Sequence, residues 1–266
     1  MAKYYIIGMV LFCLVADAVF GNPITDAVPD TSQAGYLTER TIYGVKFSFV
    51  QIPKGSFRMG SSNGDDDEVP SHDVLVEPCK MSTTEITQLQ WKAVMGSEFN
   101  PSFYRGDDRP VDRVSWEDCQ EFVMKLNQAD PKKGYDLPSE AEWEYACRAG
   151  STTLYSNGNS ESDLDIVGWY KDNSSKTTHP VGTKTANKWG LYDMHGNVWE
   201  WCRDYYHDNY IGAPKNSRAW LIPAGPQQVI RGGSWSNESD ACRSTNRGSR
   251  YPADMETNLG FRIICW

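Results

Sequence analysis

GLYDMHGNVWEWC, residues 190–202, is the stretch from which this chain is best read. It lacks helical periodicity, and Trp199 and Trp201 read as core anchors rather than as ligand contacts. Asn197 and Glu200 can bring an amide oxygen and a carboxylate to one point, where main-chain carbonyls of a tight turn would complete an oxygen cage for calcium. A turn-capping asparagine beside a solvated glutamate explains the same residues, and spacing alone favours that simpler reading.

The same character extends from Ala149 to the C-terminus, where Gly, Asn, Asp and Trp recur and predict loops and short strands. Upstream, the signals are more regular. IYGVKFSFVQIPKGSFRMG (residues 42–60) alternates around Pro53-Lys54-Gly55 and predicts a hairpin there. SSNGDDDEVPSHD (61–73) reads as an acidic loop, in which DDDE is a solvated run rather than a calcium loop, and DVLVEPCKM (73–81) as a strand. Three short amphipathic helices carry start signals: Thr87 with Gln90, Ser115, and Ser139 with Glu142. In the second, Cys119, Phe122, Val123 and Leu126 share one face, which puts Cys119 in the core. With 39% hydrophobic residues, ten Trp and 22 Gly in 266 positions, the composition predicts one α+β domain over residues 41–266.

Lys3, an apolar run over residues 6–16 and small residues to Gly21 predict a signal peptide over 1–21, followed by a flexible leader over 22–40. The expected location is therefore outside the cytoplasm: periplasmic, secreted or in the lumen of the endoplasmic reticulum. No transmembrane segment is expected after cleavage. A net charge of −9 without Lys/Arg clusters excludes nucleic acid as a partner. Removal of Cys13 leaves six cysteines, an even number that in an exported protein reads first as disulfides. The four histidines, His72, His179, His195 and His207, share no face and read as structural. No hydrolase elbow, phosphate loop or dinucleotide fingerprint occurs.

Taken in order, FRMG (57–60), TTEIT (83–87), PVDRVSWEDCQEF (110–122), LPSEAEWEYACRAG (137–150), GLYDMHGNVWEW, RGGSW (231–235) and NLGFR (258–262) resemble the formylglycine-generating enzyme, or sulfatase-modifying factor, family. The resemblance implies a variant C-type lectin-like fold with little regular secondary structure, stabilised by disulfides. It also implies calcium at Asn197, Val198 and Glu200. Enzymes of the family use oxygen and copper(I), held by two cysteines, to oxidise a sulfatase cysteine to formylglycine, and thiolates suit copper(I) as soft ligands. This sequence departs from the pattern: Asn237 stands at the first cysteine position. Cys242 falls at the second when counted from Ser234, and three residues away when counted from NLGFR. The comparison also implies Cys147–Cys265 and Cys202–Cys242 disulfides.

Two functions follow. One is an oxidase of a sulfatase or peptide thiol, with Cys242 and Ser234 as its reactive residues and copper as its cofactor. The other is a calcium-stabilised module that binds a protein or peptide, such as a sulfatase, on residues 235–258, with Trp235, Asn237, Arg243, Asn246, Arg250 and Tyr251 as the surface.

Overall fold

A computed structural model describes residues 33–96 and 98–266; the expected signal peptide and most of the expected leader lie outside them. Strand β1 (Leu37–Ile42) starts inside the expected leader and pairs along its whole length with β2 (Val45–Ile52). Order therefore begins before residue 41. The hairpin turns at Tyr43-Gly44, both at positive φ, and not at Pro53-Lys54-Gly55. Past that second turn, β3 (Gly55–Met59) leaves the sheet to pair with β4 (His72–Val76). Glu77-Pro78 then splits the single strand expected over 73–81, and β5 (Cys79–Ser82) returns to β2.

Thr87 and Gln90 close a capping box on α1 (Gln88–Met95), as do Ser115 and Asp118 on α2 (Trp116–Ala129). After β6 (Tyr135–Asp136), Ser139 and Glu142 do the same on α3 (Glu140–Arg148). A fourth box, Ser160 with Asp163, opens α4 (Glu161–Val167), which lies in the half expected to hold only loops and strands. The remaining strands are β7 (Trp199–Tyr205), β8 (Gln228–Arg231), β9 (Arg247–Arg250), β10 (Leu259–Gly260) and β11 (Ile264–Cys265). They complete a sheet of order β1-β2-β5-β11-β6 and a second of order β10-β7-β8-β9.

The five-stranded sheet separates two cores. Phe47, Phe49, Trp91, Phe122, Trp201 and Phe261 fill one with Cys119 and Cys265; Ile52, Met81, Trp143, Val229 and Ile264 fill the other with Cys79, Cys147 and Cys202. Successive strand residues face opposite sides, so Cys265 and Ile264 belong to different cores. Cys147 and Cys265 thus lie on opposite faces of the sheet. Cys242 belongs to a third cluster with Tyr155, Leu164, Val167 and Tyr170, apart from Cys202. The six cysteines among the described residues are buried free thiols, and the expected Cys147–Cys265 and Cys202–Cys242 pairs are not formed there. The amphipathic expectation holds for α2, whose buried residues are Cys119, Phe122, Val123 and Leu126. It fails for α3, where all nine residues are buried, three glutamates among them.

Phe122 stacks on Trp91 with ring centroids 5.6 Å apart and meets Phe261 edge-on at 5.2 Å. Phe122→Ala is expected to cost about 3–5 kcal/mol in urea unfolding followed by circular dichroism. A loss below about 1 kcal/mol would place this cluster outside the cooperative core.

Candidate functional site

Strand β8 ends at Arg231, and Gly232 and Gly233 then take φ of 99° and 72°. A Cβ on Gly233 would stand 2.6 Å from Cys242 Sγ, so only glycine lets this turn lie against the short turn at Ser239–Cys242. The buried Ser234 hydroxyl donates to Asn237 Oδ1 (2.5 Å) and accepts from Asn258 Nδ2 (3.1 Å). Trp199 Nε1 donates to the same Asn237 oxygen at 2.9 Å. Asn258 also bonds Ser236, and the half-buried Trp235 meets Tyr104 edge-on at 5.5 Å. Trp235, Ser236, Asn237, Asn258 and Tyr104 therefore form one polar and aromatic face.

Cys242 lies beneath this face. It is fully buried, and burial pushes its thiol up to about 12. His195 Nδ1 donates to the Cys242 carbonyl (2.8 Å) and its Nε2 accepts the Ser156 N–H (3.0 Å). Both ring nitrogens are occupied, and burial draws its pKa down to about 4, so His195 is a neutral strut and not a base. The Cys147 sulfur sits 3.7 Å from the same ring, which makes Cys147 and Cys242 neighbours of one histidine. Copper(I) held for a peptide substrate needs two accessible thiolates, and the set of Asn237, Ser234 and a buried Cys242 does not fit it.

Below the turn lies a lattice of buried charge. Arg231 donates to the carbonyls of Ser244 (3.0 Å), Thr245 (2.8 Å) and Asn246 (2.5 Å) and to Glu144 Oε2 (2.5 Å). Arg247 forks Glu140 at 2.6 and 3.0 Å, and Arg148 Nε reaches Glu144 at 3.0 Å. Arg243 binds Glu68 (3.0 Å), Asp65 (3.0 Å) and Asp240 (2.7 Å), while Asn246 binds Asp65 (3.1 Å). The acidic run is thus not simply solvated: Glu68 is fully buried, and Tyr206 caps Asp67. Arg243 and Asn246, expected on the binding surface, are 5% and 9% exposed and serve the interior instead. Arg250 pairs with Glu256 at 2.6 Å, and Tyr251 is exposed.

A second acidic group gathers around the opening stretch. Glu85, Asp193 and Glu200 are all buried. Arg262 forks Glu200 at 2.6 and 2.7 Å, and Trp143 Nε1 adds a bond at 2.6 Å. Asn197 donates to Glu85 (3.0 Å), its oxygen accepts the His179 N–H (2.8 Å), and the Val198 N–H faces Glu85 (3.2 Å). The Asn197 amide thus fastens the turn to Glu85 and His179, and Glu200 is buried rather than solvated. Asp193, which the sequence reading missed, keeps one oxygen without a partner. Burial and neighbouring carboxylates push Glu85 well above the usual range; burial is the main cause that takes Asp193 to about 6. Three carboxylates against one guanidinium fit an added cation, with Asp193 offering the open oxygen.

The sequence signature of the sulfatase-modifying factor enzyme 1-like domain matches residues 46–265. The chaperone protein LppX of Paenibacillus barcinonensis is 26% identical over 83% of this chain and 90% of its own length. The formylglycine-generating enzyme of Mycobacterium tuberculosis is 28% identical over 81% and 96%. Among solved structures, Treponema denticola variable protein 1 superposes with a TM-score of 0.75 at 30% identity, covering 86% of this chain and 99% of that one. The architecture is the α+β, C-type lectin-like variant that the motifs implied. Among the described residues no helix is long and apolar enough to cross a membrane.

Removing Glu144 leaves Arg231 and Arg148 buried without their carboxylate. Glu144→Ala is expected to lose about 3–5 kcal/mol, and Glu144→Leu combined with Arg231→Met less than the sum of the single changes. Additive losses in a denaturant double-mutant cycle would show that the pair is not coupled.

Proposed function

The chain belongs to the sulfatase-modifying factor enzyme 1-like family, and on that premise we propose that it is an exported ligand-binding member rather than a copper-dependent oxidase. Its protein or peptide partner docks on Trp235, Ser236, Asn237 and Tyr104. The observation that carries this reading is the fully buried Cys242 beneath an Asn237 whose amide oxygen already receives two donors. An aromatic ring beside short amide and hydroxyl groups is the composition of adaptable recognition surfaces. Family membership makes a sulfatase segment the first partner to test, and the chaperone name of one relative is in keeping with protein binding.

A calcium ion at Asp193 and Glu200, beside Glu85, would supply the positive charge these carboxylates lack. Such a bound ion ties Asp193, at the start of the 193–198 turn, to Glu200 on β7. Asn197 and Val198 contribute by tying the turn to Glu85.

Reduced, copper-loaded protein mixed with a cysteine-bearing sulfatase peptide is expected to bind it without changing the mass of the cysteine. Trp235→Ala should weaken that binding at least about tenfold. Conversion that disappears in Cys242→Ser and survives in Cys202→Ser would overturn the reading.

Calcium at about a hundred times its dissociation constant should stabilise the fold by about 2.7 kcal/mol. Asp193→Asn should remove that increment, measured by thermal melts with calcium and with a chelator. A melting temperature indifferent to calcium would refute the ion site.

A further inference from the structure

Away from the Trp235 face, the loop after β3, the segment after α3 and the turn at residues 240–245 enclose an open cavity of about 670 Å³. Its walls are made of short hydroxyls and amides, among them Ser62, Asn63, Thr152 and Asn159, and Leu154 supplies an exposed apolar side chain. The volume suits a small ligand, and the walls offer it hydrogen-bonding groups and apolar surface in similar measure.

The cavity also receives charge from the interior. In the part of the lattice around α3, Arg148, Arg231 and Arg247 share two carboxylates, Glu140 and Glu144. Asp204, next to Glu140, accepts only main-chain N–H groups, from Glu140 and Trp220. Burial and Glu140 push it up to about 7. Arg231 is fully enclosed and Arg247 nearly so. Of these three arginines, Arg148, 9% exposed, lines the cavity. Its Nε holds Glu144, its Nη2 makes a long contact to the Gly60 carbonyl at 3.5 Å, and its Nη1 has no acceptor among the described residues. A buried guanidinium that shares its one carboxylate with Arg231 and keeps an open donor can take an anionic group. Arg243, the other buried arginine in the lining, is already saturated by Glu68, Asp65 and Asp240. Asp65 and Asp240 remain half or more exposed and can accept from ligand hydroxyls.

We propose that this cavity binds an acidic sugar, a uronate-type mono- or disaccharide. Its carboxylate pairs with Arg148, its hydroxyls bond the serine, threonine and asparagine groups of the walls, and its ring lies against Leu154. A lone inorganic anion would leave the hydroxyl-lined walls unused, and a neutral sugar would leave the guanidinium unanswered.

Isothermal titration calorimetry on the full domain tests this with a galacturonate disaccharide, the matching galactose disaccharide and inorganic phosphate. The uronate should bind, with the neutral sugar and phosphate each at least about tenfold weaker. Arg148→Gln should weaken uronate binding at least about tenfold. Asn63→Ala and Thr152→Val, at exposed positions whose side chains make no protein hydrogen bonds, should weaken it severalfold without lowering the melting temperature. These two keep the test decisive if Arg148→Gln does not fold. Lack of uronate binding, equal affinity for the neutral sugar or for phosphate, or affinity untouched by the two wall variants would each overturn the assignment.

Discussion

The contact between Glu144 and Arg231 decides how the C-terminal half of this molecule is arranged. A helix buried on every side cannot carry ionised glutamates unless each finds a cation inside the protein. Arg231 supplies one, and its two Nη groups also take the carbonyls of residues 244, 245 and 246. One guanidinium thus fastens helix α3, strand β8 and the segment entering β9. Arg247 repeats the device on Glu140, and Arg262 on Glu200. Buried pairs of this kind contribute little net stability against apolar residues of equal volume, but losing one partner is costly. Their effect here is on register, because each arginine fits one carboxylate fork and a slipped strand would strand a charge.

That constraint sets how much of the surface is free to recognise a partner. Residues 243–247 are drawn inward by their own side chains, so the stretch from 235 to 258 is not one continuous variable surface. It divides into an accessible part around Trp235 and Asn237, an inward-tied part from Cys242 to Arg247, and an outer loop with Tyr251. The inward part also lines the polar cavity through Arg243 and Thr245.

What could be read from the sequence was local. The capping boxes at Thr87, Ser115 and Ser139 specify helix starts by hydrogen bonds three residues apart, and all three occur. Ser160 with Asp163 carried the same signal and was obscured by the weak periodicity around it. The hairpin was misplaced because Pro-Lys-Gly is a good turn sequence whether or not the flanking strands pair with each other; here the second strand pairs elsewhere. Cysteine parity said nothing about faces, and one position along β11 separates Cys265 from the core that holds Cys147. The charge lattice was hidden for a different reason. Glu144 and Arg231 are 87 positions apart, and a glutamate on a short helix looks solvated until its partner is known. Glu200 came closest to giving itself away, as a charge set between two tryptophans.

The turn after β8 shows how a scaffold can keep its shape where one reactive group is missing. With a cysteine at 237, the Trp199 indole N–H and the Ser234 hydroxyl would face sulfur, a weak acceptor. The asparagine oxygen accepts both donors, and the Ser234 hydroxyl in turn accepts from Asn258 Nδ2, so the turn is held by hydrogen bonds without a thiolate. Beneath it, Gly233 leaves just enough room for the Cys242 sulfur, and the thiol becomes a packing group whose ionisation burial opposes. With an amide at 237 and the Cys242 thiol buried, the face above them presents Trp235, Ser236 and Asn237 but no thiolate.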